Sequence, residues 1–242
     1  TIGITHEQPI EPRFFGYIRN KTMKRQYLGD SKDSFKWDYH DFLASSLGCQ
    51  RLNIILMLTP DDHSRYGKTH PELFPARRAV ISFCHGLRIE RNVQRLCGLP
   101  SVTSGAYAVN LNKPGTYYSR QNRREYFSGL SAEGQCLFFL DPDNGFEPET
   151  ASNEKHVLYA DVADILRLIS EESVISIFQH FRRIPFEKDF IRIRQRLAQI
   201  HVAAVYWHSL MFVTIAKTKN AIEKVITANY EYSQIYPVKV LP

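Results

Sequence analysis

A chain of 242 residues that is 43% hydrophobic holds enough apolar material for one sizeable core, and 31 Lys and Arg against 25 Asp and Glu give it a net charge of +6. This composition excludes a disordered chain and a disulfide-stapled mini-domain, and no apolar run reaches the ~20 residues of a membrane helix. The basic surplus permits a DNA or RNA partner without demanding one.

Residues 1–28 show little periodicity and carry Arg13, Arg19, Lys21, Lys24 and Arg25 among Phe14, Phe15, Tyr17 and Tyr27, which reads as a basic, aromatic arm or cap ahead of a single α/β domain over 29–242. From Asp33 the apolar residues Phe35, Tyr39, Phe42, Leu43 and Leu47 recur at helical spacing, and Gly48 ends the pattern. A strand is expected over 53–59. Residues 72–97 read as a helix in two pieces, broken near Gly86, with Ile89, Val93 and Leu96 on one face. A weak strand at 106–110 and a turn at 112–115 precede a helix starting near Asn122, which leads into a strand over 136–140. Leu158, Val162, Ile165 and Ile169 make the apolar stripe of a helix that Ser152 or Asn153 could cap, and a strand over 174–179 follows. The next helix turns Phe186, Phe190, Ile193, Leu197 and Ile200 inward. Segments 202–206 and 210–216 then pair as a hairpin across Trp207, His208 and Ser209, before a last helix near 221–228. Strands alternating with helices predict an open, mostly parallel Rossmann-like α/β sheet with helices on both faces and a C-terminal antiparallel hairpin.

Cys49, Cys84, Cys97 and Cys136 lack any CxxC or metal-knuckle spacing and read as buried free thiols of a reducing compartment. With no signal-peptide pattern at the start, the expected location is cytoplasmic, away from membranes.

Three apolar runs end in groups that bind metals or move protons. Asn53–Thr59 runs into Pro60, Asp61 and Asp62; Cys136–Leu140 into Asp141, Pro142, Asp143, Asn144 and Gly145; and Val174–Phe178 into Gln179 and His180. Ligands of parallel sheets gather outside the carboxyl ends of the strands, so these residues stand where an active site is expected. Asp61, Asp62, Asp141 and Asp143 would converge if their strands are neighbours, and such carboxylates suit Mg²⁺ or Mn²⁺. The same residues are also ordinary turn formers. His180 suits a general base or a hydrogen-bonded strand end. Asp30, Asp33 and Lys36 lie at a helix start, where acids offset the helix dipole and Lys36 could contact phosphate or an acidic ligand. Tyr117, Tyr118, Arg120, Arg123 and Arg124 interleave rings and cations in the manner of a nucleic-acid contact, and Arg182 and Arg183 extend the basic character past His180.

The segment Gly29 to Lys36, Leu140-Asp-Pro-Asp143 at a strand end and the terminal hairpin together resemble the Rossmann-like methyltransferases that modify adenine N6 in ribosomal RNA. The Asp-Pro-Asp-Asn-Gly and Gln-His-Phe segments resemble a group of uncharacterised bacterial proteins. The first resemblance implies a methyltransferase-like sheet, S-adenosylmethionine as cofactor, and Asp141 with Asn144 reading an amino group. The chain departs from that pattern: Asp143 stands at the second proline and Asn144 at the base-stacking aromatic of the methyltransferase motif. The turn after the first strand, 59–67, carries two acids where a glycine-rich turn is required. The leading expectation is therefore a nuclease using a divalent metal held by Asp141, Asp143 and Asp61 or Asp62, with His180 moving the proton. A methyltransferase and a catalytically silent nucleic-acid binder are the alternatives.

Overall fold

The computed structural model describes residues 27–60, 69–130, 133–150 and 152–242. Helix α1 spans Ser31–Ser46 and leads into β1, Arg51–Ile55; α2, Arg78–Glu90, and α3, Leu99–Thr103, precede β2, Ala108–Leu111. Then come α4 (Arg123–Phe127), β3 (Cys136–Leu140), β4 (Gly145–Phe146), β5 (His156–Val157), α5 (Tyr159–Leu168) and β6 (Val174–His180). The chain continues through α6 (Phe186–Arg196), β7 (His201–Trp207), β8 (Leu210–Ala216), α7 (Lys219–Ile235) and β9 (Lys239–Leu241).

Seven strands form one sheet in the order β2-β1-β3-β6-β8-β7-β9. The first four are mutually parallel, and the remaining pairs are antiparallel. The sheet is thus Rossmann-like and mostly parallel in its first half, and closes on the expected hairpin. Its central strands read as unbroken apolar runs because both faces are covered. Leu52, Ile54, Leu137 and Phe139 meet α1, α2 and α7 on one side, while Ile55, Phe138 and Leu140 meet α4, α5 and α6 on the other. The chain leaves β1 for β2 on one flank and returns to β3 on the other, so the strand order reverses between β1 and β3.

Helix α1 is buried nearly all round, with 12 of its 16 residues inaccessible. Its aromatic residues fill the core, and its polar ones are therefore obliged to find partners. Arg77 answers two of them: Nε donates to Asp38 Oδ1 at 2.7 Å and an η-nitrogen to Asp41 Oδ2 at 2.6 Å. Tyr232 donates to the other oxygen of Asp38, and Thr103 and Tyr107 to Asp41. His40 lies against Phe139, ring centroids 3.8 Å apart. Its Nδ1 faces the Lys36 carbonyl at 2.6 Å, which only accepts, so Nδ1 carries the proton. Burial pulls the imidazole down to about 3. His40 is therefore neutral, and Nε2 accepts from Ser176 Oγ of β6 at 2.8 Å.

Several boundaries differ from the sequence reading. Strand β1 stops at Ile55, because Met57 turns left-handed with φ of 44°. Gly86 does not break α2, since the chain around it is open and helical; the break falls at Arg91, φ 51°, and leaves Ile89 83% exposed. Neither Ser152 nor Asn153 caps α5, whose N-cap is Leu158, with the Asp161 carboxylate accepting from the Leu158 N–H. Cys97 is exposed, while the other three cysteines are buried thiols. Strands β4, β5 and β9 are too short to carry a periodicity. The suggested arm lies outside the described residues apart from Tyr27 and Leu28, and among the described residues no helix is long and apolar enough to cross a membrane.

The Arg77 network generates a stability prediction. Arg77→Met leaves Asp38 and Asp41 buried without their cation, at a cost of about 2–4 kcal/mol, below that of a fully buried pair because Arg77 is itself partly exposed. Urea unfolding of the two proteins measures it, and a loss below 1 kcal/mol would be too small for such a network.

Candidate active site

A cavity of about 560 Å³ opens at the carboxyl ends of β1, β3 and β6, at the point where the strand order reverses. Its size is that of an ordinary small-ligand site. Leu56, Leu58 and Thr59 come from the segment after β1, Asp141 to Asn144 from the loop after β3, and Phe178 and His180 from β6. The first turns of α1 add Asp30, Lys32, Asp33, Lys36 and Trp37.

The loop after β3 is held by β6. Gln179 accepts from the Phe146 N–H at 2.9 Å and donates to the His180 carbonyl at 2.9 Å. Gly145 has φ of 104°, and a Cβ there would lie 2.2 Å from Gln179 Oε1, so glycine is required at this point. The Asp-Pro-Asp-Asn-Gly and Gln-His segments are two halves of one clamp. It leaves Asp141 at the end of a central parallel strand, its N–H donating to the Ile55 carbonyl of β1. Thr59 donates to Asp143 at 2.8 Å, so the loops after β1 and β3 meet.

Lys36 reaches into this floor from α1. Its ammonium lies 2.8 Å from Asp141 Oδ2 and 3.1 Å from Asp33 Oδ1. Asp33 also accepts from the Gly29 N–H, and Asp30 caps the helix through the N–H groups of Lys32 and Asp33. Burial pushes Asp141 up to about 6 despite the opposing charge and hydrogen bond of Lys36. Asp30 rises to about 6 through burial and the neighbouring charge of Asp33. For Lys36 burial acts downward, but Asp141 and Asp33 outweigh it and hold the ammonium above the usual lysine range. Burial, followed by the charge of Lys32, lowers His180. Its Nδ1 faces the Ser209 carbonyl at 3.3 Å and so bears the proton, which leaves Nε2 with a lone pair.

Asp141, Asp143, His180 and Lys36 thus line one cavity. Asp61 and Asp62 lie outside the described residues. Of the expected nucleic-acid residues Lys36 lines the cavity, whereas none of Tyr117, Tyr118, Arg120, Arg123, Arg124, Arg182 and Arg183 does. Tyr118 does not offer its ring to a base, because it is 1% exposed and packed against Tyr126 and Phe127. Arg123 is taken up by the Tyr118 hydroxyl and Asp161, and Arg182 by both oxygens of Asp189 and the Phe146 carbonyl. Tyr117 is half-buried, Arg120 donates to the Ser152 carbonyl, and Arg124 and Arg183 are exposed. The sequence reading missed Trp37, Phe178 and Lys155 as lining residues, since isolated aromatics and lysines carry no positional signal.

Two cofactors were implied, and Asp61 and Asp62, which were to complete the metal site, lie outside the described residues. Of the ligands that are described, Asp141 binds Lys36 through Oδ2 and Asp143 accepts from Thr59 through Oδ2. No group of three or more His, Cys, Asp or Glu side chains is arranged for a metal among the described residues. The turn at 59–67, where the S-adenosylmethionine pattern needs its glycines, lies mostly outside the described residues; ahead of it Met57 is left-handed, 1% exposed and packed in the core on the α4–α6 side of the sheet.

No known protein family and no curated protein matches the chain. A crystal structure of a DUF574 family protein from Streptomyces avermitilis is similar over 81% of this chain and 87% of its own, at 8% identity and a TM-score of 0.38.

The raised acids predict the pH dependence of stability. Between 3.8 and about 6 the folded Asp141 and Asp30 keep protons that the unfolded chain has released, so their contribution becomes less favourable as pH rises through that window and is constant above it. Denaturant midpoints followed across this range should show a part of the slope that disappears in Asp141→Asn. An identical slope in the variant would place Asp141 in the ordinary carboxylate range.

Proposed function

We propose that the chain is an enzyme acting on nucleic acid, with the cavity at the ends of β1, β3 and β6 as its active site and proton transfer as its chemistry. The observation that carries this reading is the juxtaposition in one cavity at the strand ends of a largely buried carboxyl, Asp141, and an imidazole, His180, whose Nε2 keeps its lone pair. Perturbed acids and bases gathered in a cleft are the mark of a catalytic centre.

In phosphodiester cleavage His180 Nε2 takes the proton of the attacking hydroxyl or water, and Asp141 gives one to the departing oxygen. Burial raises Asp141 toward neutrality, the direction a general acid requires. Lys36 orients Asp141 and, being held by two carboxylates, is not itself a nucleophile. Among the described residues, Lys32 and Lys155 are the lining cations left to meet phosphate. The net charge of +6 supports a polyanionic substrate.

Cleavage of single-stranded RNA and DNA oligonucleotides tests the proposal. Asp141→Asn and His180→Gln should each lower the rate by about a hundredfold or more with the fold intact, and the wild-type rate should follow a bell-shaped pH profile. Micromolar binding of S-adenosylmethionine with methyl transfer and no cleavage would replace this reading by a transferase.

A further inference from the structure

The lining of the cavity is of two kinds, and each leaves a group unsatisfied. Leu56, Leu58, Val93, Phe178 and Trp37 belong to the apolar core on the α1–α2 side of the sheet. Trp37 is 1% exposed and stands edge-on to Phe139, and its indole N–H has no hydrogen-bond partner among the described residues. A buried donor left unpaired is costly, and its apolar neighbours have no acceptor to give it, so one brought by a ligand would complete it. The polar part of the lining includes Lys32 and Lys155, both half-buried, whose ammonium groups have no hydrogen-bonded partner among the described residues. Burial lowers Lys32 despite the charge of Asp30, the condition of a cation short of an anion.

A flat ring that carries an acceptor and is joined to an anion satisfies both kinds of lining at once. Inorganic phosphate alone would leave the apolar part and the indole N–H unanswered. A nucleotide is the required combination, and a single one suits a cavity of about 560 Å³. We propose that the cavity takes one nucleotide of the substrate, its base lying among the apolar residues and accepting from the Trp37 N–H through a ring nitrogen or carbonyl, its phosphate meeting Lys32 and Lys155. This rests on the nucleic-acid reading of the site and adds to it. A base engaged in a pair has no way into the cavity, so the strand is taken unpaired, and Trp37 becomes a binding residue that the proposed reaction does not itself use.

Calorimetric titration of the whole chain with the four nucleoside monophosphates should give one-site binding for at least one of them. It should be about tenfold or more tighter than ribose phosphate, which lacks the base, and than the matching nucleoside, which lacks the phosphate. Trp37→Phe should weaken nucleotide and nucleoside by about fivefold and leave ribose phosphate unchanged, whereas Lys32→Met should weaken the two phosphates and spare the nucleoside. In the wild-type protein the indole N–H resonance of Trp37, told apart from that of Trp207 with Trp207→Phe, should move downfield on saturation with the nucleotide and stay in place with ribose phosphate. That measurement decides the matter even where Trp37→Phe does not fold. Equal affinity for nucleotide and ribose phosphate, an unmoved Trp37 resonance, or no binding of any of the four would overturn the site. Nucleotide binding without oligonucleotide cleavage would remove the proposed reaction and keep the site, and cleavage without nucleotide binding would do the reverse.

Discussion

The buried contact between Lys36 and Asp141 is the constraint around which the site is organised. It joins the first helix to the central strand across a sequence separation of 105 residues. Two ions removed from water are stable only with good geometry and further hydrogen bonds. Asp33 supplies a second carboxylate, the Gly29 N–H steadies Asp33, and Asp30 caps the helix that carries them both. The polar interior of α1 follows from the same demand. A helix that must bring a charge to the strand ends lies deep against the sheet, so its other polar residues need Arg77, Tyr232, Ser176 and Asn229 as partners.

Position in the sheet turns this contact into a site. The loop that carries Asp141 is clamped by Gln179 and requires Gly145, and the same strand delivers His180. An acid raised by burial and a neutral imidazole thus reach one cavity from β3 and β6, without sharing a strand. Met57, between the lining residues Leu56 and Leu58, is left-handed, a costly conformation for a bulky residue, and its side chain packs in the core rather than in the cavity.

The sequence showed the sheet and the strand-end acids because both follow from local rules. Runs such as Cys136–Leu140 and Val174–Phe178 are apolar throughout only when buried on both faces, and the polar residues that stop them fall at the ends where ligands gather. It did not show the partner of Lys36. A lysine three residues after Asp33 satisfies the rule for a local helix pair, and nothing local distinguishes that from a bond to a distant strand. The same limit applies to Tyr118, Arg123 and Arg182. Their spacing suits a nucleic-acid surface, but Asp161, far along the chain from Arg123, and Asp189, in the helix that follows Arg182, claim the cations. Ile89 fails for a related reason: periodicity reports one face of a helix and not whether another element covers it.

The central claim is that Asp141 is a proton-active carboxyl whose affinity is set by burial on one side and Lys36 on the other. Titration of the aspartate carboxyl carbons by NMR, with Asp141→Asn to assign the signal, addresses it directly. The account predicts a midpoint of about 6 in the wild-type protein, moving upward in Lys36→Met as the lowering cation is lost. A midpoint at the ordinary 3.8, or one that does not move when Lys36 is replaced, would contradict it.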